Sequence, residues 1–307
     1  MKFGLQINQF TWPGGAAGIG PTLARVARTA DDAGFDSIWV MDHLFQIRSV
    51  GEVEEPMLEG TTALGFMAAH TERARLGLMV GAVPYRHPGV WIKSTTTLDV
   101  LSEGRAWFGI GAAWNVDEAR GLGIPFPELS DRFRLLEDTL KMAHQAWTGP
   151  GEPGAPFKGK TLKASRLLNS PQVLSRPRVP ILVGGGGERT TLRLVARYAD
   201  ACNVFGAPDM LRHKFSVLAE HCADVGRDYD TIERTNLSGV SITPDGRQGS
   251  LTPSGLVERL GNWANAGTHH TIFSVRGVWD IAKLELIGRD VIPQVRGLGE
   301  PSPLDRT

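Results

Sequence analysis

Short apolar runs and amphipathic segments alternate eight times along this chain, an order that few folds accept. The runs "FGLQIN", "DSIWVM", "ARLGLMVGAV", "RAWFGIG", "ILVGG", "DACNVF", "TNLSGVSIT" and "HTIFSV" have the length and branching of strands. Segments of helical spacing separate them. After "PT", Leu23, Val26, Ala27 and Ala30 share a face that ends at Gly34. Phe133, Leu136, Leu140, Ala143 and Trp147 share another, with Glu137 one turn before Lys141. Strand–helix alternation of this length predicts an α/β architecture, a (β/α)8 TIM barrel in one domain over residues 1–307. An open doubly wound sheet is the alternative. From Gly149 to Pro180 the periodicity dissolves into Pro, Gly and basic residues, and it then resumes unchanged. That stretch reads as an insertion before strand five, a long loop over one barrel mouth rather than a domain linker.

Chemistry in such a barrel belongs at the C-terminal ends of the strands. Strand two runs out into Asp42 and His43. An imidazole gains and loses protons within the physiological range, so a histidine beside a carboxylate at a barrel mouth is a candidate for proton transfer. Beyond strand three, Gly81 and Pro84 interrupt the run, which predicts a bulge, and Arg86 and His87 are placed to meet an anion. Strand four leads through Gly109 and Gly111 to Trp114, read as a core residue, and to Asn115, whose amide can donate and accept toward a heterocycle.

Strand five ends in Gly184, Gly185, Gly186 and Gly187. With a helix expected from Glu188, the bare N–H groups of the last three would lie at a helix N-terminus, where a phosphate is the natural guest. The spacing is neither GxxxxGK[ST] nor GxGxxG, so neither a P-loop nor a dinucleotide fingerprint is present.

Other classes find little support. The formal net charge is +0, which removes any global electrostatic case for nucleic acid or an anionic membrane as partner. No apolar run approaches a membrane span and no secretory leader is recognisable, so a cytoplasmic location is expected. Cys202 and Cys222 are too few and too far apart for a disulfide framework or a metal knuckle. HExxH and GxSxG are absent, and the adjacent His269 and His270 make a poor metal geometry, so no metal is assigned.

With "GFDSIWVMDHLF", "GAVPYRHPGV", "LDVLSEGRAWFGIGAAWNVDEARGLGIPFP", "RFRLLEDTL" and "PQVLSRPRVPILVGGGGERTTLRLVARYADACNVF" set side by side, the chain resembles the bacterial luciferase-like superfamily, within it the coenzyme F420-dependent oxidoreductases. The resemblance implies a deazaflavin or flavin lying across the strand ends with its phosphate on Gly185–Gly187, and Gly184 is counted with the cofactor-binding residues. It implies a non-prolyl cis peptide within Val80–Ala82, involving Gly81, that backs the ring, with Asn115 helping to fix it. His43 takes the place of the catalytic histidine of F420-dependent sugar-phosphate dehydrogenases, with Asp42 orienting it or touching the ring. Two departures stand out: Ile47 where those enzymes have a tryptophan, and Trp114 where they have a glutamate acid. They turn the expectation from sugar-phosphate oxidation toward reduction of an apolar or conjugated C=C or C=N compound. A homodimer acting on a small molecule is implied as well. An FMN-dependent monooxygenase and a non-catalytic flavin-binding protein remain alternatives on the same fold. A phosphosugar isomerase lacks an evident carboxylate base at a strand end.

Overall fold

The structure, a computed structural model, describes residues 1–148 and 154–305. Along the chain come β1 (Lys2–Ile7), α1 (Gly15–Asp32), β2 (Ser37–Val40), α2 (Gly60–Ala68), β3 (Arg75–Leu78), β4 (Gly81–Ala82), α3 (Pro88–Leu101) and β5 (Ala106–Gly111). The short α4 (Val116–Gly121) and long α5 (Leu129–Thr148) precede a hairpin of β6 (Phe157–Lys158) and β7 (Lys163–Ala164). The second half contains β8 (Ile181–Gly184), α6 (Thr191–Tyr198), β9 (Ala201–Val204), α7 (Pro208–Asp224), β10 (Glu233–Val240), α8 (Pro253–Ala264), β11 (His270–Val275), α9 (Ala282–Asp290) and α10 (Ile292–Val295).

Strand order β3-β2-β1-β11-β10-β9-β8-β5-β4, with β3 also pairing β5, closes a parallel barrel of eight strands in which β4 continues β3. The open-sheet alternative is thereby excluded. Period-two alternation sorts the side chains into two layers. Trp39, Met79, Trp107, Leu182, Ala201 and Ile272 fill the interior, while Ile38, Val40, Phe108, Ile181 and Val183 face the helices. Each large side chain so buried is worth about 1.5–3 kcal/mol. Helix α5 presents its expected face, with Leu136, Leu140, Ala143 and Trp147 buried and the Glu137–Lys141 pair at 3.0 Å.

Helix α1 begins at Gly15 and not after Pro21, which lies inside it. The irregular stretch also differs from expectation, and its positions 149–153 lie outside the described residues. Its described part does not cap the barrel mouth but packs on the outer wall. Thr96 of α3 donates to Asn169 Oδ1 (3.1 Å) and accepts from Trp147 Nε1 of α5 (2.9 Å). The Asp138 carboxylate of α5 accepts from Leu162 N–H at 3.1 Å, and that of Asp99 in α3 from Ser175 Oγ at 2.6 Å. No helix among the described residues is long and apolar enough to cross a membrane.

Candidate active site at the barrel mouth

Between β3 and β4 the strand is broken by a cis peptide between Met79 and Val80, one residue earlier than the Gly81 position expected for it. Gln6 of β1, 3% exposed, donates to the Met79 carbonyl at 3.1 Å, and its own Oε1 accepts from Ser274 of β11 at 2.6 Å. The Val80 side chain then lies between two bare backbones. A Cβ at Gly111 would come within 2.9 Å of Val80 Cγ2, and one at Gly184 within 2.7 Å. Of the expected cofactor-binding residues, Gly184 is therefore held glycine by packing on Val80. Ala82 spends its N–H on Asp42 Oδ2 at 2.8 Å.

Residues Asp42 and His43 leave β2 side by side yet serve different partners. Arg86 clamps Asp42 in two-pronged fashion, Nη1 to Oδ2 and Nη2 to Oδ1, both at 2.6 Å. The same guanidinium meets Glu59, which caps α2 by accepting from Thr62 N–H at 2.7 Å. Burial opposes the charge on Glu59, but Arg86 and Thr62 outweigh it and hold the carboxyl at about 2. Arg86 thus meets an anion from its own chain, and Asp42 does not orient His43.

That task falls to Glu118. This residue is fully buried and lies on α4, a helix absent from the eightfold alternation expected of the sequence. Its Oε1 is 2.5 Å from His43 Nδ1 and accepts from the Tyr85 hydroxyl at 2.7 Å. Its Oε2 accepts from the N–H groups of Leu44 at 2.5 Å and Phe45 at 3.1 Å. Burial works against a charged Glu118, but the bonds from His43, Tyr85 and Leu44 prevail and keep its carboxyl below the ordinary range. Burial first, and then the bonded Glu118, push the Tyr85 phenol up, so it stays a donor. A signal for Glu118 existed in "NVDE", an N-cap residue followed three positions on by glutamate. Asn115 does cap α4, its Oδ1 accepting from Asp117 N–H at 3.3 Å, so its side chain acts on the helix. Glu118 spends its carboxylate on the neighbouring loop.

With Nδ1 engaged, Nε2 is the His43 nitrogen left for exchange with a bound molecule. Trp114 stands edge-on to the imidazole, with ring centroids 5.4 Å apart, and is 65% exposed, not part of the core. The reversal follows from Ala113, whose φ of 62° turns the chain outward after β5 and whose carbonyl is held by Arg132 at 3.1 Å. Phe205, just beyond β9, and Met210, in the first turn of α7, are exposed as well.

The glycine turn after β8 departs in two respects from its expected form. Helix α6 starts at Thr191, not Glu188, and the Gly185 N–H already donates to the Asn203 carbonyl at 3.0 Å. Gly185 has φ +120°, open to glycine alone, and a Cβ at Gly187 would meet Thr191 Oγ1 at 2.8 Å. Side chains are thus excluded at Gly185 and Gly187, and the bare main chain of the turn fits a ligand's phosphate. Glu188 accepts from Lys214 at 2.6 Å and is 3.0 Å from His213 Nε2, and the Lys214 side chain lies against the turn, its Cε 3.6 Å from where a Cβ at Gly186 would stand. Among the described residues no group of three or more His, Cys, Asp or Glu could hold a metal ion. Both cysteines are buried, and burial pushes the Cys202 thiol up to about 12.

The sequence model for luciferase-like monooxygenases matches residues 1–248. Among curated proteins, the chain is 33% identical over 341 aligned residues to an F420-dependent glucose-6-phosphate dehydrogenase of Nakamurella multipartita, covering 94% of this chain and 97% of that one. Among solved structures, it superposes on an F420-dependent secondary alcohol dehydrogenase in complex with an F420-acetone adduct, with a TM-score of 0.79 at 17% identity over 96% of this chain and 99% of that one. The monooxygenase RslO1 from Streptomyces bottropensis gives a TM-score of 0.78 at 19% identity, over 95% and 99% of the two chains.

Proposed function

Because the chain belongs to the luciferase-like monooxygenase family, we propose that it is an oxidoreductase transferring a hydride between coenzyme F420 and a small organic substrate, with His43 moving the accompanying proton. The observation that carries this reading is the His43–Glu118–Tyr85 array at the strand ends. Bound F420 would supply a carbon centre that gives or takes hydride. Val80, flanked by Gly111 and Gly184, would support its ring, with Gly81 and Ala82 beside it, and the turn at Gly185 would present the N–H groups of Gly186 and Gly187 to its phosphate. Glu118 fixes the imidazole by Nδ1 and stabilises the protonated ring, so that Nε2 delivers or accepts the proton at the substrate. Tyr85 and two main-chain N–H groups keep Glu118 ionised while it does so.

The substrate we assign is apolar or conjugated, carrying a C=C or C=N bond. Exposed Trp114, Phe205 and Met210 supply an apolar rim. Arg86, the cation nearest the mouth in sequence expectation, has its donors spent on Asp42 and Glu59, which disfavours a sugar phosphate. A second reading keeps the fold and uses reduced FMN to activate oxygen, in line with the monooxygenase structures that share the architecture. Anaerobic oxidation of reduced F420 against a panel of enones and imines tests the first reading, with His43→Ala as control. Turnover should fall at least a hundredfold in that variant while F420 binding persists. Unchanged turnover would remove His43 from the chemistry, and oxygen uptake with reduced FMN but no F420 turnover would favour the second reading.

A further inference from the structure

Helix α7 runs alongside the glycine turn and is fastened to it. His221 Nε2 donates to the Glu188 carbonyl at 2.7 Å, just past the last glycine. Two helical turns earlier, Lys214 lays its side chain along the turn itself, with Cε 3.6 Å from where a Cβ at Gly186 would stand. Its ammonium donates to Glu188 Oε1 at 2.6 Å, and the side chain is 20% exposed. Lys214 and His213 hold the Glu188 carboxyl below the ordinary range, so the carboxylate is charged at neutral pH.

The turn also keeps donors unspent. Thr190, at the N-terminus of α6, makes no side-chain cap. Thr191 is 5% exposed, yet among the described residues its hydroxyl has no hydrogen-bond partner. That Oγ1 is 2.8 Å from where a Cβ at Gly187 would stand and 3.8 Å from one at Gly185, so it lies against the turn. It is not among the unpartnered polar atoms sealed from solvent. A buried hydroxyl in this position calls for an oxygen acceptor. Rotation about the last bonds of a lysine carries its ammonium from a carboxylate to such an acceptor without moving the helix.

We propose that Lys214 is the cation for the phosphate of the bound coenzyme, and that Glu188 competes with that phosphate for its ammonium. The inference rests on the phosphate placement in the reading above. Lys214 adds charge to the N–H groups of Gly186 and Gly187, while Glu188, which retains His213, sets how readily Lys214 is given up.

Fluorescence titration of the full chain tests it with two ligand pairs: F420 against its deazaflavin chromophore without the phosphate-bearing tail, and FMN against riboflavin, which differ by the phosphate alone. Lys214→Met should weaken the phosphate-bearing member about tenfold and leave the other within twofold. Lys214→Arg should keep most of the affinity. Glu188→Gln should tighten the phosphate-bearing member about threefold. These opposite signs separate the proposal from a Lys214–Glu188 pair that only braces α6 on α7, for which both variants would lose alike. Lys214→Met within twofold of wild type, an equal loss for both members of a pair, or no gain in Glu188→Gln would overturn it. A wild type that gains nothing from the phosphate, or binds neither pair, would do the same. Binding of the FMN pair alone would remove the F420 reading, and the same contrast would then decide Lys214 on FMN and riboflavin. Should Lys214→Met fail to fold, Glu188→Gln retains the lysine and decides by its sign.

Discussion

Replacing Glu118 by glutamine isolates the charge of the buried carboxylate while keeping its size. Four donors converge on it: His43 Nδ1 at 2.5 Å, the Tyr85 hydroxyl at 2.7 Å, and the N–H groups of Leu44 at 2.5 Å and Phe45 at 3.1 Å. An amide has one acceptor oxygen, which would stay with the two main-chain donors because they cannot rotate away. Its NH2 then faces His43 and Tyr85. The hydroxyl can turn to the Asn115 carbonyl, already 3.0 Å away. The imidazole has no such escape: Nδ1 must become an acceptor, and a protonated ring there loses its counter-charge. A hydrogen bond to a charged group is worth about 1.5–3 kcal/mol, so kcat should fall about 10- to 150-fold. Steady-state turnover of wild type and E118Q at saturating cofactor measures it, with Tyr85→Phe expected to lose much less. A kcat in E118Q within a factor of two of wild type would show that the carboxylate charge does not act through His43.

Two other perturbations have expected outcomes. In Gly184→Ala the new Cβ would press on Val80 Cγ2 from 2.7 Å, and a β-branched side chain has few rotamers in which to retreat; F420 affinity, read by fluorescence titration, should drop about tenfold. Arg86→Met leaves Asp42 buried without its partner, a loss of about 3–5 kcal/mol that chemical denaturation at neutral pH will register. That loss should shrink in acid. Glu59 is depressed from 4.5 to about 2, so the stability it draws from Arg86 is complete above 4.5 and disappears as pH falls toward 2. The gap between wild type and R86M should therefore narrow over that interval, and a gap that widened would contradict the pairing.

The barrel was legible because its strands, buried on both faces, stand out as apolar runs between amphipathic segments. His43 was legible for the related reason that a strand's C-terminal end is a position fixed by topology. Misreadings arose where local backbone decides direction. Asp42 and His43 are adjacent, and successive residues of an extended segment point to opposite sides, so one carboxylate could not serve the other's ring. Its true partner, Glu118, lies seven residues past β5 on a helix of six residues, too short to register as periodicity. Trp114 looked like core because apolar character predicts burial, yet a single positive φ at Ala113 reverses it. The glycine run pointed to a turn, but which N–H groups stay open depends on Asn203, a residue of the next strand.

Competition between F420 and FMN for the purified protein tests the central assignment most directly. F420 is expected to bind at least tenfold tighter, a difference of about 1.4 kcal/mol. FMN binding tenfold tighter than F420 would contradict the assignment and move the protein to flavin chemistry.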